Sequence, residues 1–111
     1  MVYSMKEDHQ PKKLEQILDL KSVPALIYWS SLGRINQVKV VLDSGGDPNL
    51  HDSDGYSALH AASENGHLDI VKLLIEHGAD INYKSEYSAL ELAIMAEHDE
   101  VVKYLLTKGA Q

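Results

Sequence analysis

Residues 54–80 read DGYSALHAASENGHLDIVKLLIEHGAD, and related versions of this stretch stand on both sides of it. A shift of 33 residues lays the preceding stretch onto this one, and a shift of 31 residues lays this one onto the following stretch. The coinciding pairs include Gly33 and Gly66, Gly45 and Gly78, Tyr56 and Tyr87, and Ser57 and Ser88. A period near 33 residues is typical of stacked repeat architectures. The sequence therefore predicts a repeat protein.

The repeats resemble those of the ankyrin family over roughly residues 22–111. The family's Thr-Pro-Leu-His signature stands here as residues 57–60, Ser-Ala-Leu-His, and its Gly-His turn is Gly66-His67. Its Gly-Ala-Asp-x-Asn run covers residues 78–82. The resemblance implies an all-α solenoid of helix-turn-helix pairs joined by short β-hairpin-like fingers. It divides the chain into repeats at about 22–53, 54–85 and 86–111.

The outer repeats depart from the family pattern. The first has Pro24 where Thr is expected and Trp29 where a small residue is usual. The third carries Glu97 in place of the turn glycine, and its connecting finger is two residues shorter. The middle repeat is therefore the best match to the family.

Residues 1–21 are predicted to be a polar lead-in followed by a capping helix. Leu14, Ile17 and Leu18 recur at helical spacing, which is typical of an amphipathic segment. We interpret this segment as a lid over the first repeat, because a terminal repeat needs a cover and because Tyr28 and Trp29 are large for their positions. A loose tail ahead of an ordinary cap is the alternative.

Helix ends are also marked in the sequence. Ser57 is predicted to be the N-cap of a helix that ends at Gly66. A second helix is expected near residues 69–77, burying Ile70, Val71 and Leu74 with help from Leu73 and Ile75. Ser88 with Glu91 three residues later predicts a capping box at the start of the third repeat. Two Asp-x-Asn runs are interpreted as turns whose side chains satisfy local backbone, at residues 47–49 and 80–82.

The composition limits the function classes. The chain has 111 residues, 44% of them hydrophobic and 24% charged, which suits one globular domain. It has no cysteine, so disulfides and thiolate chemistry are excluded. The net charge is −7, and residues 54–85 and 86–111 each carry −3. This field disfavours nucleic acid and anionic membranes and favours a basic protein partner. The N-terminus lacks the apolar core of a secretory signal, so we expect a cytoplasmic protein.

No set of residues predicts catalysis, a metal or a cofactor. His60, Glu64 and His67 have a spacing that could suggest a metal site, but Gly66 ends the helix before His67. The resemblance implies instead that both histidines bond backbone groups of fingers and turns. The neighbouring carboxylates are interpreted as solvated surface, namely Asp52 with Asp54, and Glu97 with Asp99 and Glu100.

The resemblance implies that finger tips and the exposed side of each first helix line a concave groove that grips a partner protein. Tyr56 and Tyr87 occupy the same position in successive repeats and are interpreted as binding anchors. The alternative is that they only shield finger backbone. The predicted partner-binding residues are Ser31, Leu32, His51, Ser53, Asp54, Tyr56, Glu64, Asn65, Lys84, Glu86, Tyr87, Met95 and Ala96.

The third repeat is unusually apolar for the end of a stack. It has Leu92, Ile94 and Met95 where the middle repeat has Ala61, Ser63 and Glu64. An apolar end face needs a cover. A partner protein, a second copy forming a homodimer, further repeats of a longer chain and a local repacking all remain open.

These features predict a non-catalytic module that binds another protein. The sharper alternative is a small acidic inhibitor, such as an immunity protein or antitoxin that neutralises a basic enzyme or toxin. A self-assembling structural element is the third hypothesis.

Overall fold

A computed structural model describes residues 23–111, and within them the chain forms six helices in three pairs. The helices are α1 Val23–Leu32, α2 Ile35–Asp43, α3 Ala58–Glu64, α4 Leu68–Glu76, α5 Ala89–Met95 and α6 Asp99–Thr107. The first helices of the pairs contact one another along the stack, as do the second helices, which gives two helical layers. The capping helix predicted within residues 1–21 lies outside the described residues.

The connections between pairs are hairpin-like fingers. Each finger has a single antiparallel bridge, between His51 and Ser57 in the first and between Lys84 and Ser88 in the second. The predicted fold class, an all-α stack with short fingers, is confirmed. With one bridge each, the fingers depend on side-chain bonds for their shape.

Both fingers end in a capping box. The Ser57 hydroxyl accepts from the His60 amide at 3.3 Å, and the His60 ring accepts from the Ser57 amide at 3.1 Å. Ser88 and Glu91 repeat this exchange at 3.1 and 2.9 Å. The predicted N-cap and capping box are therefore confirmed, and His60 completes a second box that the Ser-x-x-Glu rule does not anticipate.

The core runs through both layers. Helix α4 begins one residue before its predicted start and buries Ile70, Val71 and Leu74, the three residues expected on its inner face. Trp29 is 8% exposed and belongs to the core, whereas Tyr28 is 59% exposed. The large side chain of Trp29 is thus accommodated in the core, whereas that of Tyr28 lies on the surface.

Asparagine side chains join consecutive repeats. The amide nitrogen of Asn49 donates to the Gly78 carbonyl at 3.0 Å, and its oxygen accepts from the Asp80 amide at 2.6 Å. Asn82 makes the matching bonds to Gly109 at 3.4 Å and to Gln111 at 3.0 Å. The turns are locally satisfied as predicted, since Asp47 and Asp80 accept from the backbone amides of Asn49 and Asn82. The bridges between repeats were not predicted.

Candidate functional site

A groove opens where the two fingers meet helices α3 and α5. Its volume is about 490 Å³. Helix and finger residues of two successive repeats line it: Asp52, Asp54, Tyr56, His60, Glu64, Ser85, Glu86, Tyr87, Leu92 and Met95. The groove therefore exists only because the repeats stack.

Tyr56 is held in place along one wall. Its amide donates to the Asp52 carboxylate at 2.9 Å, which shapes the finger tip, and its ring stacks on His60 with centroids 5.7 Å apart. Its hydroxyl donates to Glu64 at 2.5 Å. Burial, this bond and the negative charges of Glu64 and Asp52 raise the pKa of Tyr56. The phenol is thus a protonated, pre-positioned group.

His60 forms part of the floor and connects two repeats. Because its Nδ1 accepts from the Ser57 amide, the neutral ring carries its proton on Nε2, which donates to the Tyr87 carbonyl at 2.8 Å. The side chain is buried, and this burial lowers its pKa. Both ring nitrogens are used by backbone groups, so the structural role that the resemblance implies for His60 is confirmed.

Tyr83 ties the second finger to the first. Its hydroxyl donates to the Gly55 carbonyl at 2.9 Å, its ring stacks on His51 at 5.3 Å, and it meets the His60 ring edge-on at 5.4 Å. Tyr83 was not among the residues predicted to bind or to shape the fingers. The sequence feature that could have indicated its role is an aromatic residue in the second finger at the position where the first finger has Leu50.

The groove combines an apolar wall with an acidic rim. Met95 is 55% exposed and Tyr87 is 41% exposed, and both line the groove together with the buried Leu92. The rim carboxylates belong to Asp52, Asp54, Glu64 and Glu86. Within residues 23–111, no lysine or arginine lines this groove. Its potential is therefore negative, and apolar contact area lies beside the charge.

The structure brings six of the predicted binding residues together in this groove: Asp54, Tyr56, Glu64, Glu86, Tyr87 and Met95. The other seven do not line it: Ser31, Leu32, His51, Ser53, Asn65, Lys84 and Ala96. Lys84 instead lies 3.4 Å from Glu91, and the Asn65 amide group donates to the Ala61 carbonyl at 2.8 Å. Four lining residues were not predicted to bind: Asp52, His60, Ser85 and Leu92.

Two histidines of the middle repeat, His60 and His67, bond to different neighbouring repeats. His60 bonds to the following repeat, whereas His67 Nε2 lies 3.0 Å from the Ser31 carbonyl of the preceding one. Over the described part of the chain, no three His, Asp or Glu side chains are grouped so that they could hold a metal ion. Nor does any helix there have the length and apolar character needed to cross a bilayer.

Comparison with known proteins agrees with this architecture. The family described as ankyrin repeats (3 copies) matches residues 26–111. The chain belongs to the ankyrin-repeat family. Ankyrin repeats generally mediate protein–protein interaction and are typically non-catalytic, so the predicted class of interaction module is supported at this level.

The ankyrin relatives are longer than the matched segments. An ankyrin repeat-containing protein of Schizosaccharomyces pombe is 34% identical over 87 residues, which cover 75% of this chain and 42% of the relative. The mouse ankyrin repeat and SAM domain-containing protein 6 is 36% identical over 96 residues, or 81% and 11% of the two chains. The human Notch-regulated ankyrin repeat-containing protein is 41% identical over 58 residues, or 50% and 51%. The chain thus spans about half or less of these relatives.

Proposed function

We propose that this chain is a non-catalytic module that grips a partner protein in the groove between its two fingers. The observation that carries the proposal is the convergence of Tyr56, Tyr87 and Met95 from two repeats on one acidic groove. Tyrosine is a frequent interface anchor because it offers a large contact area and has few rotamers to lose. The bonds that already hold Tyr56 reduce the ordering cost of binding further.

The partner in this proposal presents a lysine or arginine side chain. The methylene stem of such a side chain packs on apolar surface, here that of Tyr87 and Met95, while its charge meets the rim carboxylates. Aromatic faces also attract cations. The predicted residues outside the groove, such as Ser31, Leu32 and Asn65, extend the contact surface along the first helices in this proposal.

Capture of the partner from the source cell tests the proposal. The full chain serves as bait beside two charge-reversal variants, Glu86→Lys on the groove rim and Glu76→Lys on the exposed side of α4. Both variants change the net charge equally, so only a groove-specific contact separates them. We expect mass spectrometry to recover a protein that Glu76→Lys retains and Glu86→Lys loses. Equal recovery by all three baits would refute groove binding.

The inhibitor hypothesis is the second candidate, because the acidic rim suits the active surface of a basic enzyme. In that case the captured protein is an enzyme or toxin of high isoelectric point, and the purified chain abolishes its activity. Association would also be fast and strongly slowed by salt. If the chain does not change the activity of its partner, the inhibitor hypothesis is excluded and the role of a binding scaffold is retained.

A further inference from the structure

Repeats 1 and 2 each hold the next repeat through a surface that we call the trailing face. It contains the turn glycine, a serine near the end of the first helix and, in the middle repeat, the histidine of the Ser-Ala-Leu-His run. The third repeat has different residues at all three positions: Glu97, Ile94 and Glu91. Each difference alters what this face can accept.

The turn glycine is required by the histidine of the following repeat. A Cβ atom on Gly33 would lie 2.8 Å from the His67 ring, and one on Gly66 would lie 2.6 Å from the His98 ring. The imidazole therefore packs directly on bare backbone. Glu97 keeps the same left-handed conformation, with φ 62°, but carries the Cβ that this packing forbids. A following histidine has no room there.

In repeats 1 and 2 the serine near the end of the first helix is covered by the following repeat. Ser30 and Ser63 are both 0% exposed, whereas Ile94 at the matching position is 53% exposed. Neither serine hydroxyl has a hydrogen-bond partner within residues 23–111. The position therefore requires a small side chain and not a hydrogen-bonding group. Protein interiors are packed too densely to admit the larger isoleucine without displacement. A repeat placed over Ile94 in the same register would collide with it.

The histidine position supplies a bond across the second junction. His60 donates to the Tyr87 carbonyl of the next finger, and the first junction, which has Ile27 here, lacks this bond. Glu91 stands at this position in the third repeat, where the Ser88 amide and Lys84 occupy its carboxylate. Because an ionised carboxylate can only accept hydrogen bonds, Glu91 could not donate to the finger carbonyl of a following repeat as His60 does.

We propose that the third repeat terminates the ankyrin stack, because its trailing face excludes another ankyrin repeat in the same register. The exclusion applies to a repeat later in a longer chain and to the first repeat of a second copy, which would otherwise build a head-to-tail fibre. Leu106 is 54% exposed on this repeat although its counterpart Leu42 is 4% exposed. An apolar side chain whose counterpart in the first repeat is buried thus stays exposed on the third repeat.

An added repeat tests the proposal. A copy of residues 48–80 is fused after Gln111 of the full chain, which continues the register because Gln111 matches Asp80. The fusion is made on the wild type and on the triple variant Glu91→His, Ile94→Ser, Glu97→Gly. Limited proteolysis and hydrogen exchange report whether the added repeat folds, and thermal unfolding reports whether it stabilises its neighbours.

We expect the added repeat to be cleaved rapidly on the wild type and to leave its melting temperature unchanged. On the triple variant the repeat should be protected and should raise the melting temperature by several degrees relative to the triple variant alone. Equal protection of the added repeat on the wild type and on the triple variant would overturn the proposal. Rapid cleavage of the added repeat on both chains would overturn it as well. If the triple variant does not fold, as judged by its helical circular dichroism, the same comparison is made with Ile94→Ser alone.

Discussion

At the scale of single residues, His60 combines three tasks in one ring. It caps its own helix, forms part of the groove floor and bonds the next finger, as the distances to Ser57 and Tyr87 show. Acceptance at one nitrogen and donation at the other require the neutral ring. The groove therefore depends on a titratable residue.

Stability should consequently depend on the protonation of His60. Burial lowers its pKa below the ordinary 6.5, although the Tyr87 carbonyl, Glu64 and Asp52 favour the charged ring. The folded state thus binds the proton less readily than the unfolded state. The stability that the neutral ring contributes is complete above pH 6.5 and is lost as the pH falls from there through the folded-state pKa.

We expect the melting temperature to fall as the pH is lowered from about 6.5 to about 5, and to fall less in His60→Gln. Glutamine keeps an acceptor for the Ser57 amide and does not titrate. Thermal unfolding of both proteins over this range measures the difference. Identical pH profiles would show that other groups govern the acid sensitivity.

The left-handed turns allow a matched pair of substitutions. Gly66→Ala should destabilise the chain by about 1–3 kcal/mol, because a side chain at φ 76° is strained and meets His98. Glu97→Gly should stabilise it by about 0.5–1 kcal/mol, since the strain at φ 62° exceeds the added entropy of the unfolded chain. Urea denaturation gives both free energies of unfolding. A destabilised Glu97→Gly would mean that the Glu97 side chain makes a compensating contact.

At the scale of elements, helix α3 has one buried serine at its N-cap and another within it, and the two have opposite hydrogen-bonding states. Ser57 caps the helix and Ser63 has no partner within the described residues, although both are nearly inaccessible. Ser57→Ala should cost about 1–2 kcal/mol of stability, because it leaves the first turn uncapped. Ser63→Ala should be neutral or stabilising, because it removes an unsatisfied hydroxyl. Chemical denaturation of the two variants compares them, and a larger loss for Ser63→Ala would contradict the assignment.

The sequence predicted those parts of each element that depend on local pattern. The Ser57 cap, the Ser88–Glu91 box and the buried face of α4 all follow from residues within one or two helical turns. The bonds of Tyr83 to Gly55 and of Asn49 to Gly78 could not be read in this way, because their partners are 28 and 29 positions away in the sequence. The groove was predicted to consist of finger tips and the exposed sides of the first helices, and the stacking determines which of those positions line one cavity.

At the scale of the whole molecule, recognition and stability should reside in different tyrosines. Tyr87 is exposed on the groove wall and its hydroxyl makes no bond within the described residues, whereas Tyr83 joins the two fingers through the Gly55 carbonyl. Tyr87→Ala should weaken partner binding by about 1–2 kcal/mol and leave the melting temperature nearly unchanged. Tyr83→Ala should lower the melting temperature. Calorimetry with the captured partner and thermal unfolding separate the two effects, and equal losses of stability would make Tyr87 a structural residue.

The paired bonds of Asn49 and Asn82 make the coupling between repeats sensitive to deamidation at these two positions. In each side chain the NH₂ group donates to a backbone carbonyl of the following repeat and the oxygen accepts from a backbone amide of that repeat. Spontaneous deamidation to aspartate would replace that NH₂ donor with an oxygen facing a carbonyl. Helices within a repeat would persist while the coupling between neighbours weakened. We therefore expect Asn49→Asp and Asn82→Asp, which place the deamidated side chain at each site, to broaden the unfolding transition before helical circular dichroism is lost.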